Sequence, residues 1–424
     1  MAGAVPFRVG EWLPSDQQYL GRWLDDLITT VDARGDVPLL PVVEEFRRLI
    51  EDDPEIYMLF AFMLEQVPFK ETPTHEPQVK TVDTMLRLFN YVMTHTPEYN
   101  DTGLVGFPIN AILDWAMGTE AGFAAFLNDR VNAQFKKMLC QWGVFLKSPD
   151  STSVLNDTDD GWFGPKALAS MPHFVENFVC DPALPHYGFT SWDDFFTRRF
   201  RAGVRPVASP GDPGVIVNAC ESAPYRVSEN VKRHDRFWVK GQPYSVAHML
   251  GGDPWADQFV GGTIYQAFLS ALSYHRWHSP VDGRIVKAYV QDGTYYSETP
   301  AEGYDPSGPN ESQAYITEVA TRAMIFIEAD DPAIGLMCVL PVGMAEVSTC
   351  EITVYEGQHV DKGDQLGMFH FGGSTHCLMF RPGVRLAFDF HGQTPGLNSS
   401  NIPVNARIAT VVRISERHPV STRS

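Results

Sequence analysis

A serine preceded by two glycines, in Phe371-Gly372-Gly373-Ser374-Thr375, carries the chemistry to cut its own chain. Attack of the Ser374 hydroxyl on the Gly373 carbonyl moves the acyl group from nitrogen to oxygen. Elimination then breaks the Cβ–Oγ bond of Ser374, freeing Gly373 as a carboxylate and leaving a dehydroalanine. Its hydrolysis releases ammonia and gives an N-terminal pyruvoyl group. Glycines suit the preceding positions because they lack the Cβ that blocks close approach and they accept strained backbone. Gly-Gly-Ser-Thr is equally good turn chemistry, and read alone it fits a loop between strands.

A hydroxyl nucleophile needs a base, and Ser273-Tyr274-His275-Arg276-Trp277-His278-Ser279-Pro280-Val281-Asp282-Gly283 places two histidines three residues apart before a Pro and a turn. An imidazole titrates near neutrality and can take the serine proton, with a carboxylate behind it to fix the tautomer. The same spacing also fits metal ligands or hydrogen-bonded groups at a strand end. No partner cluster of metal-binding residues lies nearby in the sequence, so no metal is expected.

With these blocks in view, the chain resembles the phosphatidylserine decarboxylase family of pyruvoyl-dependent enzymes. The resemblance rests on Phe195-Phe196-Thr197-Arg198-Arg199-Phe200 with Arg205-Pro206, Val239-Lys240-Gly241 with Tyr244-Ser245, the Tyr274-to-Gly283 block and Gly293-Thr294-Tyr295-Tyr296-Ser297. It continues through Ile327-Glu328-Ala329, Val342-Gly343-Met344-Ala345-Glu346-Val347, the phrase from Gly357 to Gly367, and Phe371 to Thr375. These blocks run in family order from Asp193 to beyond Ser374.

The resemblance implies that Ser374 becomes the pyruvoyl group, that the chain is cut between Gly373 and Ser374, and that the β chain 1–373 stays associated with the α chain 374–424. It makes His278 the processing base and His275 the decarboxylation proton donor. The family's third processing residue is an aspartate in an Asp-Gly turn. Here Asn218-Ala219-Cys220-Glu221-Ser222 puts Glu221 in its place, one methylene longer, to orient His278; a solvated carboxylate beside a strand is the other reading. The implied activity is decarboxylation of an α-amino acid through a Schiff base to the pyruvoyl carbonyl, which acts as electron sink. Within the family, the chain is most similar to fungal soluble members that decarboxylate free aromatic amino acids, L-tryptophan to tryptamine above all, in alkaloid pathways. Phosphatidylserine is the alternative substrate, and a non-processing homologue that only binds a ligand is the alternative of another class.

The elements that must position these residues are of two kinds. From Leu39 to Leu146 the apolar spacing is helical: Phe46, Leu49, Ile50, then Ile56, Leu59, Phe60, Met63, then Val82, Met85, Phe89, Val92. Ser148 to Pro165 reads as a polar connection. From Val215 onward short β-rich runs follow one another: 215–217, 284–290, 324–328, 337–341, 352–355, 385–390 and 408–414. The fold class expected is α+β, a helical N-terminal domain with its connection (1–165) before a mainly β catalytic domain (166–424). The Val360-to-Gly367 phrase also occurs in biotinyl and lipoyl carrier modules, but no lysine marks a carrier hairpin tip. Asp361 to Gly363 reads as the turn of a hairpin.

A chain of 424 residues, 44% hydrophobic and 12% aromatic, can bury a substantial core. Six cysteines (140, 180, 220, 338, 350 and 377) make no CxxC pair, which points to a reducing, cytoplasmic setting, with Cys377 a buried thiol. The run from Ala333 to Ala345 is too short to cross a bilayer and reads as a buried strand, and Met1 to Leu20 shows neither signal peptide nor anchor. The formal net charge of −19 disfavours nucleic acid and anionic lipid surfaces and favours a small-molecule amino acid as partner.

Overall fold

The computed structural model describes residues 17–67, 78–99, 107–235, 244–270, 272–299, 312–347, 349–371 and 373–413, apart from the side chains of Gln17, Val347 and Ser374. The readings made above on residues 1–16, on Val239-Lys240-Gly241 and on Ile414 lie outside the described residues.

Seven helices come first: α1 (Gln17–Ala33), α2 (Pro41–Asp52), α3 (Pro54–Gln66), α4 (Val82–Val92), α5 (Pro108–Met117), α6 (Glu120–Leu127) and α7 (Asp129–Leu146). Their starts follow from local chemistry. Asp53 caps α3 by accepting from the N–H groups of Glu55 and Ile56 at 2.9 and 3.0 Å, Thr81 caps α4, Asn128 caps α7, and prolines occupy the first turns of α2, α3 and α5. The apolar stripes meet in an aromatic core: Phe46 lies 5.5 Å from Phe60 and 5.0 Å from Phe135, edge to face. The helical spacing from Leu39 onward is thus borne out. It misses α1, whose buried stripe is only Leu20, Leu24 and Val31.

The stretch from Ser148 to Pro165 is more than a polar connection. Val154, Leu155, Trp162 and Phe163 are buried, and the Trp162 indole donates to the Pro97 carbonyl at 2.8 Å. Three short helices follow, α8 (Pro165–Ser170), α9 (Phe174–Asn177) and α10 (Trp192–Phe196).

The remainder is β1 (Val215–Val217), β2 (Ala223–Glu229), β3 (Thr263–Leu269), β4 (Arg276–His278), β5 (Gly283–Gln291), β6 (Arg322–Ala329), β7 (Leu336–Met344), β8 (Cys350–Ile352), β9 (His359–Val360), β10 (Gln365–Phe369), β11 (Gly373–Phe380), β12 (Leu386–Phe388) and β13 (Arg407–Val411). Helices α11 (Val246–Met249) and α12 (Gln313–Val319) are inserted among them. The molecule is therefore α+β, as expected. One sheet runs β2-β3-β11-β7-β6-β5-β9; two smaller ones run β1-β13-β12 and β4-β10-β8, and every pairing is antiparallel. Every residue of β7 is buried, which explains the continuous apolar run read between Ala333 and Ala345.

Several strand readings need correction: residues 385 and 389–390 lie outside β12, and 412–413 lie beyond β13. Residues 353–355 lie beyond β8. Asp361 to Gly363 do form a turn, with Gly363 at φ +91°, but it is not a hairpin: β9 pairs with β5, whereas β10 pairs with β4 and β8. The turn therefore joins two different sheets and carries the chain towards β11. Among the described residues, no helix is long and apolar enough to cross a membrane.

Candidate active site

Strand β11 starts at the residue before the candidate nucleophile and lies between β3 and β7. Its register sets Gly373 opposite Met344, and Ser374 opposite Leu269 on one side and Gly343 on the other. Thr375 fixes that register: its buried hydroxyl donates to the Ala267 carbonyl and accepts from the Gln266 amide, each at 3.0 Å. Ser374 thus stands at the end of a strand in the middle of the main sheet, where neighbours on both sides hold its backbone, rather than in a loop between strands.

The two histidines come from the next sheet. In the β4–β10 ladder Arg276 faces Met368 and His278 faces Gln365, and the Phe369 N–H donates to the His275 carbonyl at 3.0 Å. His275 is therefore at the end of the ladder nearer β11, and His278 is about 10 Å further along at extended-strand rise.

His275 is fully buried, with its ring stacked on Phe196 at 4.1 Å and 21°. Phe196 in turn lies 5.8 Å from Phe371, three positions before Ser374. Burial, reinforced by the nearby Arg198 guanidinium, holds the His275 pKa well below the ordinary imidazole value, so the ring is neutral at neutral pH. Arg198 is buried as well and donates to the carbonyls of Leu272 and Ser273 at 2.6 and 3.2 Å. The Phe195-to-Phe200 block thus forms the roof over His275 and braces the segment that carries it.

His278 has both ring nitrogens engaged. Nδ1 is 2.7 Å from the Gly363 carbonyl, which can only accept, so Nδ1 carries the hydrogen. Nε2 then presents a lone pair, and it accepts from the Tyr274 hydroxyl at 2.8 Å. Burial lowers the His278 pKa, which keeps the ring in this free-base form.

Glu221 is placed differently from the expectation that it orients His278. Its carboxylate takes a forked interaction from Arg205, with the shortest contact at 2.6 Å, and accepts from the Val404 N–H at 2.8 Å. Among the described residues no hydrogen bond joins Glu221 to His278. The physical reason is competition: the planar guanidinium saturates the carboxylate, and the turn at Gly363 delivers a backbone carbonyl to Nδ1. The tautomer-fixing role expected of a carboxylate is filled by main chain.

Two further acidic constellations border the site, and the sequence reading assigned neither. His370, four positions before Ser374, is held between carboxylates, with Nδ1 at 2.9 Å from Asp193 and Nε2 at 2.8 Å from Glu351. Burial alone would lower its pKa, but the bonds to Asp193 and Glu351 outweigh that and raise it. Glu346 follows Met344 by two residues and is 2% exposed; its Oε1 accepts from the N–H groups of Ile109 and Asn110, at 2.7 and 3.0 Å, at the start of α5. Burial pushes its pKa up to about 8, so it is largely protonated at neutral pH. Through Glu346, the helical region reaches the residues that flank Ser374. Cys377 is buried, as expected.

Models of a family described as phosphatidylserine decarboxylase match residues 40–171 and, separately, residues 192–395. An L-tryptophan decarboxylase from Psilocybe cubensis is 38% identical over 97% of this chain and 94% of its own length. A second, from Psilocybe cyanescens, is 40% identical over 88% of this chain and 89% of its own. The decarboxylase iboD of Amanita muscaria is 46% identical over 67% of this chain and 86% of its own.

Proposed function

Because the chain belongs to the phosphatidylserine decarboxylase family and is a carboxy-lyase of it, a family that is pyruvoyl-dependent in general, we propose that it matures by self-cleavage between Gly373 and Ser374 and decarboxylates a free aromatic L-amino acid, L-tryptophan to tryptamine and CO2. The observation that carries this reading is the placing of Ser374 at the start of β11, with neutral His275 beside the strand leading into it. The relatives named L-tryptophan decarboxylase, similar over nearly the whole chain, support the substrate.

The residues present fit a pyruvoyl group at position 374. Ser374 supplies its carbon skeleton, Gly373 the acyl group that must migrate, and His278 a free-base imidazole. Because the Tyr274 hydroxyl occupies Nε2 of His278, we infer that the serine proton reaches this imidazole through the phenol. Tyr274 takes the serine proton as it gives up its own, so its charge is unchanged. Burial raises the Tyr274 pKa, which makes this relay concerted rather than one with a standing phenolate.

The pyruvoyl carbonyl supplies an electrophile for the substrate amine and a sink for the electrons left when CO2 departs. Neutral His275 can accept the proton that the substrate ammonium must lose to become nucleophilic, and return it to the α-carbon after CO2 has left. Stacking on Phe196 fixes the ring plane for both transfers. A CO2-release panel of L-tryptophan, L-tyrosine, L-phenylalanine, L-serine and phosphatidylserine vesicles tests the substrate. Turnover of L-tryptophan above all others is the expected result, and turnover of the lipid alone would overturn it.

A further inference from the structure

Among the described residues, three polar atoms at the junction of the helical region and the main sheet have no hydrogen-bond partner. They are Glu346 Oε2, the Tyr296 hydroxyl and Asn110 Oδ1. Their residues are 2%, 0% and 1% exposed. A buried polar atom without a hydrogen bond is costly to leave so, and three together point to something that binds there.

The three belong to one place. Asn110 N–H donates to Oε1 of the same Glu346 carboxyl whose Oε2 is left over. The Ala345 N–H donates to the Tyr295 carbonyl at 3.0 Å, which lays the Tyr295-Tyr296 segment beside Ala345-Glu346, close enough for the Glu346 charge to be felt at Tyr296. Aromatic rings of the helical region close the sides: Phe135 and Phe126 lie 4.8 and 6.3 Å from the Tyr296 ring. The place also adjoins the reaction centre. Gly373 faces Met344, two residues before Glu346, and Ser374 faces Gly343.

Resting on the aromatic amino-acid reading above, we propose that Glu346, Tyr296 and Asn110 form the polar end of the substrate pocket, where the ring N–H of an indolic amino acid donates to one of these oxygens and the protonated carboxyl and the hydroxyl complete the hydrogen-bond chain behind it. An indole presents one donor on an otherwise apolar ring, which matches a few hydrogen-bonding atoms set among phenylalanines. The helical region then contributes directly to substrate choice, through Asn110 and through the α5 N–H groups that hold Glu346 in place.

The test uses cleaved full-length protein and compares kcat/KM for L-tryptophan with that for 3-(3-benzothienyl)-L-alanine, which keeps the ring shape and replaces N–H by sulfur. The wild type should prefer L-tryptophan at least tenfold. Tyr296→Phe and Glu346→Gln, the latter keeping the oxygen that α5 donates to, should bring that preference to within about twofold, with cleavage by intact mass and Tm confirming a folded, processed enzyme. Equal turnover of the two substrates by the wild type would overturn the proposal and indicate ordered water only. So would variants that lose both activities in equal proportion. If the wild type turns over neither substrate but does process another class, the aromatic reading has failed and this proposal falls with it.

Discussion

The Gly363 carbonyl and Nδ1 of His278 lie 2.7 Å apart, so a backbone oxygen fixes which nitrogen of this proposed processing base carries the lone pair. The free nitrogen points at the Tyr274 hydroxyl, 2.8 Å away. Tyr274→Phe should therefore slow self-cleavage by about a hundredfold, the scale of a lost general acid–base contact, while His278→Ala blocks it. The fraction of uncut chain over time by intact mass measures both. Normal cleavage of Tyr274→Phe would mean that His278 meets the serine directly.

Glu221 holds Arg205 and the Val404 N–H, so its first effect is on stability. Glu221→Gln should cost about 1–3 kcal/mol of unfolding free energy, the scale for hydrogen bonds to charged groups, and slow cleavage far less than His278→Ala does. Chemical denaturation read alongside cleavage rate separates the two effects. A cleavage block equal to that of His278→Ala, with stability intact, would restore Glu221 to the processing machinery.

His275 has a pKa displaced downwards by burial and by Arg198, so its basic form persists to lower pH than an ordinary imidazole allows. The acid limb of kcat/KM assigned to this group should thus lie below pH 6.5, with no loss between pH 6.5 and 7.5 from its titration. His275→Ala should cleave, at least in part, and release little CO2. A limb above pH 7 that disappears in His275→Ala would contradict the neutral-base role.

His370 behaves in the opposite sense. Its folded pKa is raised, so its contribution to stability is fully present below the unfolded value near 6.5 and is lost as pH rises through the higher folded value. Melting curves of the wild type and His370→Gln should differ most below pH 6 and converge as the imidazole deprotonates. A difference that grows with pH would refute the sandwich of imidazolium between Asp193 and Glu351.

How far these features could be read from the sequence depends on what kind of atom carries them. The helices from α2 to α7 and the α+β class were legible because periodicity reports which face is buried. The histidine pair and Ser374 were legible because side-chain type reports chemistry. The orientation of His278 was not, since a carbonyl belongs to every residue and Gly363 offers no signal beyond its turn. Glu346 and His370 escaped for a related reason: glutamate is ordinarily solvated and histidine is only intermediate in burial, and it takes the docking of α5 and the approach of Asp193 from α10 to give these two their partners. The apparent hairpin at Asp361 to Gly363 failed because local turn chemistry does not say which sheet each flanking strand joins.

Maturation is tested most directly by the intact mass of the purified full-length protein. Two chains are expected, 1–373 ending in a normal carboxylate and 374–424 beginning with a pyruvoyl group that borohydride reduces, with both species and CO2 release from L-tryptophan lost together in Ser374→Ala. A single uncut chain that decarboxylates L-tryptophan at full rate would contradict it.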